Sequence, residues 1–185
     1  NSAAIMALSY ARGQNSGDVS VLTTGPIETS GSSAHAIIAE SRVYSDPAAE
    51  SADAGSVSIG IGANIVTSGA GAHAIFARST SPIGLAQNVN VENSDATVAC
   101  TASGCTAIYL ESFGSSGSGN ISLFNNQVIS GGLGGKAIEL VSGRDNLIVN
   151  DQGAKPAGST MIGASGGLYD TAISGTTGND RIENR

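Results

Sequence analysis

Ser33-Ala34-His35-Ala36-Ile37-Ile38-Ala39-Glu40-Ser41 returns 38 residues later as Gly71-Ala72-His73-Ala74-Ile75-Phe76-Ala77-Arg78-Ser79. The Ala-Ile pair at the centre of this stretch recurs at Ala4-Ile5, Ala107-Ile108, Ala137-Ile138 and Ala172-Ile173, giving successive intervals of 32, 38, 33, 30 and 35 residues. Intervals of this size are those of solenoids, in which one supersecondary unit stacks on the next because it cannot bury its apolar face alone.

Each unit carries a second alternating segment: Val19-Ser20-Val21, Val57-Ser58-Ile59, Val89-Asn90-Val91, Ile121-Ser122-Leu123 and Leu147-Ile148-Val149. Period-two alternation of branched apolar and polar residues reads as a strand with one buried face. A turn-favouring residue precedes each segment, at Asp18, Ser56, Asn88, Asn120 and Asn146. A third apolar position lies ten residues before the next Ala-Ile isoleucine, at Ile27, Ile65, Val98 and Val128. The fifth unit breaks this rule, with Gly163 at that offset and Met161-Ile162 beside it.

From the second segment to the next Ala-Ile isoleucine the count is 18, 18, 19, 17 and 26; from Ala-Ile to the second segment it is 14, 20, 14, 13 and 9. Length variation therefore gathers mainly at one corner, where the 44–54 stretch is the largest excursion. Three short strands per turn with a loop extruded at one corner describe an all-β parallel β-helix of five to six coils. No segment holds a 3.6-residue apolar stripe free of Gly and Ser, which disfavours helix.

The expected inward columns are Ile5, Ile37, Ile75, Ile108, Ile138 and Ile173, and, two residues on, Ala7, Ala39, Ala77, Leu110, Leu140 and Gly175. The opposite parity would bury Glu139, which is costly. Met6, Ile38, Phe76 and Tyr109 then form an outward apolar stripe, either covered by the variable loops or exposed as a contact surface.

Composition limits the function. The 185 residues include 26 Gly, no Trp and 12% charged residues, and the formal net charge is −7. A basic nucleic-acid-binding surface is disfavoured. Two charge-free stretches of 24 residues, Ala54–Ala77 and Ser112–Gly135, are too rich in Gly, Ser, Thr and Asn to span a membrane as helices. No basic n-region followed by an apolar stretch opens the chain.

Cys100 and Cys105 flank a corner turn, and a local disulfide between them suits an oxidising, extracellular setting better than a zinc or redox site, which wants Cys-x-x-Cys spacing or further ligands. His35 and His73 hold equivalent places, but the column continues as Thr106, Lys136 and Thr171, so repeat similarity accounts for the pair better than a metal site. Asp46, Glu50 and Asp53 in the long loop read as solvated acids, since glycosidic chemistry needs two opposed carboxylates and sugar-stacking aromatics. One Gly-rich unit, Gly175-Thr176-Thr177-Gly178-Asn179-Asp180-Arg181-Ile182, resembles a calcium-binding nonapeptide; a single copy would leave the ion under-coordinated, so a tight turn is expected. The Asn120-Ile121-Ser122 sequon falls on a repeated strand position and carries no weight. No catalytic, cofactor or metal residues are assigned, and no cofactor is expected.

Ile27-Glu28-Thr29-Ser30-Gly31 and Ile65-Val66-Thr67-Ser68-Gly69, each followed by Ala-His-Ala-Ile-x-Ala-x-Ser, resemble the repeats of bacterial autotransporter passenger domains. The closing Ala172–Asn184 segment is similar to a passenger segment as well. The resemblance implies a right-handed parallel β-helix outside a Gram-negative cell, in proteins that often serve as adhesins. It also implies a membrane link only through a translocating barrel, which has no counterpart among these residues. The expected function is a surface-displayed structural or adhesive segment, part of a longer repeat protein. Its expected partner is a host or neighbouring-cell protein or glycan, or further copies along a fibre. The alternative is a β-helix polysaccharide lyase or hydrolase.

Overall fold

The computed structural model describes residues 2–151, 161–163, 171–176 and 178–185. Among these the regular elements are all strands, wound as a solenoid of about five turns. The first sheet holds the Ala-Ile segments as β1 (Ser2–Arg12), β4 (Ala34–Tyr44), β7 (His73–Ser81), β10 (Thr106–Gly114), β13 (Lys136–Val141) and β16 (Thr171–Ser174), side by side in that order. The second sheet is β2 (Val19–Thr23), β5 (Val57–Ile61), β8 (Val89–Asn93), β11 (Ile121–Asn125), β14 (Asp145–Asn150) and β17 (Asn179–Asn184). The third is β3 (Ile27–Thr29), β6 (Ile65–Thr67), β9 (Val98–Cys100), β12 (Val128–Ser130) and β15 (Met161–Gly163). Every pairing is parallel, because each strand meets its equivalent one full turn later.

The register places Ile5, Ile37, Ile75, Ile108, Ile138 and Ile173 in one column. Its four middle members are completely buried, and Ile5 and Ile173 pack against the same core. Each such burial contributes roughly 1.5–3 kcal/mol. Ala36, Ala74, Ala107 and Ala137 are completely buried too, so the recurring Ala-Ile pair is two consecutive core positions where the chain enters the first sheet. Only a small side chain fits beside an Ile when alternation is suspended at a corner.

Two columns differ from the sequence expectation. In the third sheet Val98 pairs with Ile129, and Ile129 with Ile162, so the column is Ile27, Ile65, Val98, Ile129, Ile162 rather than one through Val128. Ile129 is fully buried while Val128 is half-exposed. That stretch is one residue shorter than its predecessors, so counting back from Ile138 lands one place early. In the second sheet Ser122 pairs with Leu147 and Leu123 with Ile148, which moves Leu147 outward and turns Asn146 inward, 2% exposed. A one-residue slip reverses every side chain, and the structure buries Ile148 at the cost of accommodating an amide.

Asn146 is accommodated because its polar atoms are used. Its Oδ1 accepts the Ile121 N–H at 3.1 Å, and its Nδ2 donates to Asp180 at 2.7 Å and Thr176 at 3.1 Å. Close coil stacking also explains particular glycines: a Cβ on Gly69 would lie 1.8 Å from the Gly31 carbonyl oxygen.

Candidate functional site: the outer face of the first sheet

Alternate residues of β1, β4, β7, β10 and β13 point away from the core and build one continuous outer face. Met6, Ile38, Phe76 and Tyr109 are register partners on it, as the inward Ile column requires. Their exposure is unequal: Met6 is 54% exposed, Ile38 only 9%, and Phe76 and Tyr109 are half-buried. Phe76 and Tyr109 stack at 4.8 Å with an interplanar angle of 7°, and His35 and His73 stack at 5.1 Å beside them. His73 approaches both aromatic rings, at 5.6 Å from Phe76 and 5.4 Å from Tyr109. The stripe is thus largely consumed by its own packing, with each π-face meeting another.

Further along the strands the face opens. Leu8, Tyr10, Tyr44 and Phe113 are 41–47% exposed there. Beneath them sits a buried carboxylate, Glu40, 5% exposed. Arg78 Nε lies 3.0 Å from Glu40 Oε1, and the Tyr10 hydroxyl donates to Glu40 Oε2. Burial, then this bond to a carboxylate, pushes the Tyr10 hydroxyl up to about 12, so it remains a donor at neutral pH. Burial and the Glu111 carboxylate likewise raise Tyr109. At the far edge Lys136 pairs with Glu139.

The histidines serve packing. The His73 backbone N–H donates to His35 Nδ1 at 3.0 Å, and His73 Nδ1 lies 3.3 Å from the Thr106 carbonyl oxygen. Burial holds both imidazoles below their ordinary value. Among the described residues no group of three His, Cys, Asp or Glu side chains is placed to hold a metal.

The long loop is docked and its acids cap backbone. Val43, Ala52 and Ala54 form a small second core with Ile83. Asp46 accepts the Ala48 N–H at 2.9 Å, Asp53 accepts the Leu85 N–H at 2.8 Å, and Glu50 is exposed. In the Gly175–Ile182 segment the Asp180 carboxylate accepts the Thr176 N–H at 2.7 Å as well as the Asn146 amide.

Cys100 and Cys105 form a disulfide with a Cα–Cα distance of 5.9 Å. Both are buried in the main core, so the bond ties the end of the third sheet to the start of the first.

Two polar ladders were not singled out from the sequence. Ser9, Ser41, Ser79 and Ser112 each fall four residues after the Ala-Ile isoleucine, a spacing visible in the chain. Their hydroxyls accept the N–H of Gly17, Gly55, Gln87 and Gly119 at 2.8, 2.8, 3.0 and 2.8 Å. Ser41, Ser79 and Ser112 also donate to the Gly17, Gly55 and Gln87 carbonyls of the preceding coil, at 2.8, 2.8 and 2.9 Å. This column closes the base of the first four variable corners. Asn93, Asn125, Asn150 and Asn184 form the second ladder, with amide-to-amide bonds of 2.7, 2.8 and 2.9 Å.

The outer face of the second sheet carries a shallow groove of about 260 Å³ lined by Ser58, Asn90, Glu92, Ser122 and Phe124 among others. Ser122 donates to Asn90 across its floor at 2.6 Å.

Searches against family models, curated proteins and solved structures return no match to this chain.

Proposed function

We propose that this chain is a structural or adhesive β-solenoid segment displayed outside a bacterial cell, working by shape and repeated surface columns and not by turnover. The observation that carries the reading is the exposure of large apolar and aromatic groups on one rigid face. Met6, Leu8, Tyr10, Tyr44 and Phe113, each 41–54% exposed, all project from the outer side of the first sheet. Large apolar groups exposed together on one face, interleaved with Arg42 and Thr80, suit a contact surface. The spacing of parallel strands, about 4.8 Å, sets their separation across the sheet.

The buried disulfide supports an oxidising location. The repeat resemblance to autotransporter passengers supports a bacterial surface, with a partner on host or neighbouring cells or in a further copy of the chain.

Beads coated with the protein test the reading. Leu8→Ser, Tyr44→Ser and Phe113→Ser combined should abolish bead adhesion to cells, or bead–bead clustering, with an unchanged melting temperature. Adhesion equal to the parent, or turnover of a glycan lost on Asp46→Asn or Asp53→Asn, would overturn it.

A further inference from the structure

We infer that Tyr10, Arg12, Arg42 and Tyr44 form a binding site for an acidic saccharide, a reading that rests on the contact role proposed for this face and names its ligand chemistry. In the parallel pairing of β1 with β4, Tyr10 sits beside Arg42 and Arg12 beside Tyr44. Both pairs point outward, so the four side chains make a two-by-two block with tyrosines on one diagonal and arginines on the other. Strand spacing and the two-residue repeat make the block about 5 by 7 Å, the scale of a pyranose ring.

Its internal geometry suits such a ring. Tyr10 and Tyr44 meet edge to face, 5.6 Å between centroids and 86° between planes. The Arg42 guanidinium lies 4.6 Å from the Tyr44 centroid. An aromatic face offers apolar contact to the C–H face of a sugar, and a guanidinium offers a planar fork to a carboxylate or sulfate.

The two arginines are at most weakly engaged by acids. Among the described residues no carboxylate lies within ion-pair range of Arg42. Arg12 Nε is 3.6 Å from Asp46, but the Arg12 side chain is 72% exposed, so a ligand anion displaces a weak partner. Glu40, the acid buried beneath the block, is already engaged by Arg78 and Tyr10. A chain of net charge −7 therefore gathers two of its eight cations with two of its four tyrosines on one open patch. A block of four side chains holds one sugar ring weakly, so a polymeric ligand gains by engaging many copies. Nucleic acid is disfavoured by the overall charge.

Titration with size-defined heparin, hyaluronan and chitin oligosaccharides tests this, and tyrosine fluorescence is a usable signal because the chain has no Trp. Heparin or hyaluronan should bind and weaken with salt; hyaluronan binding shows that a carboxylate suffices, and binding of heparin without hyaluronan assigns the recognition to sulfate. Arg12→Gln with Arg42→Gln should lower affinity at least tenfold, Arg42→Lys should lower it less, and Arg144→Gln with Arg185→Gln should leave it unchanged. Absence of binding by both acidic oligosaccharides overturns the inference. So does equal binding of the chitin oligosaccharide, equal competition by duplex DNA, or equal loss in the Arg144/Arg185 variant. Adhesion that persists without saccharide binding overturns the ligand alone; saccharide binding by a protein that mediates no adhesion overturns the adhesive role alone.

Discussion

The backbone N–H of His73 donates to Nδ1 of His35, 38 residues earlier, at 3.0 Å. That bond requires Nδ1 of His35 to be unprotonated, and the stacked ring of His73 sits over it. Burial lowers both imidazoles below the unfolded value of about 6.5. As pH falls through that value the unfolded chain takes up protons before the folded one, so stability is complete above it and declines below it. The melting temperature should therefore drop between about pH 7.5 and about pH 5, and His35→Asn with His73→Gln should flatten the decline. An equally steep profile in the double variant would assign the sensitivity elsewhere.

Ser79 illustrates what the serine column does. Its buried hydroxyl accepts from Gln87 and donates to Gly55, tying two coils at one corner. Ser79→Ala removes both bonds and should lower the unfolding free energy by about 2 kcal/mol, since buried backbone groups lose their partner. Ser58→Ala, on an exposed position, should change it by less than about 0.5 kcal/mol. Urea denaturation of the two variants makes the comparison.

Glu40 is buried while the Arg78 side chain beside it is 22% exposed, so removing the cation strands the carboxylate. Arg78→Met should destabilise the protein by about 2 kcal/mol, because the buried carboxylate loses its cation and keeps only the Tyr10 hydroxyl. Adding Glu40→Gln should recover most of that loss. Denaturant midpoints for the single and double variants give the coupling, and a neutral Arg78→Met would show that Tyr10 alone satisfies Glu40.

The disulfide closes a loop with a sequence separation of 5, so its effect on the unfolded chain is modest, about 2 kcal/mol. Without reductant, neither Cys100 nor Cys105 should take up an alkylating agent. Reduction should lower the melting temperature while leaving a β-type circular-dichroism spectrum, because the surrounding Ile and Val columns remain. Loss of all structure on reduction would contradict this.

The solenoid was legible in the chain because its cause is local and repeated. Ala-Ile at intervals of 30 to 38 residues, with alternating Val and Ile segments at fixed offsets, leaves one way to bury every apolar column. Cys100 and Cys105 were legible for the same reason, lying close in sequence at a corner of the repeat. The serine column was equally visible, always four residues past the isoleucine, but its bonds go to backbone atoms that no sequence pattern displays. Tertiary structure alone decided the rest. Coil lengths differ by single residues, so whether Val128 or Ile129, and Leu147 or Asn146, faced inward depended on strand pairing and not on counting. Ile38 lost its exposure to neighbouring coils, and Tyr10, Arg12, Arg42 and Tyr44 became one patch only when β1 and β4 fell into register. Burial and side-chain proximity are properties of the stack, created by residues a full turn apart, and they exist only once the coils have closed on one another.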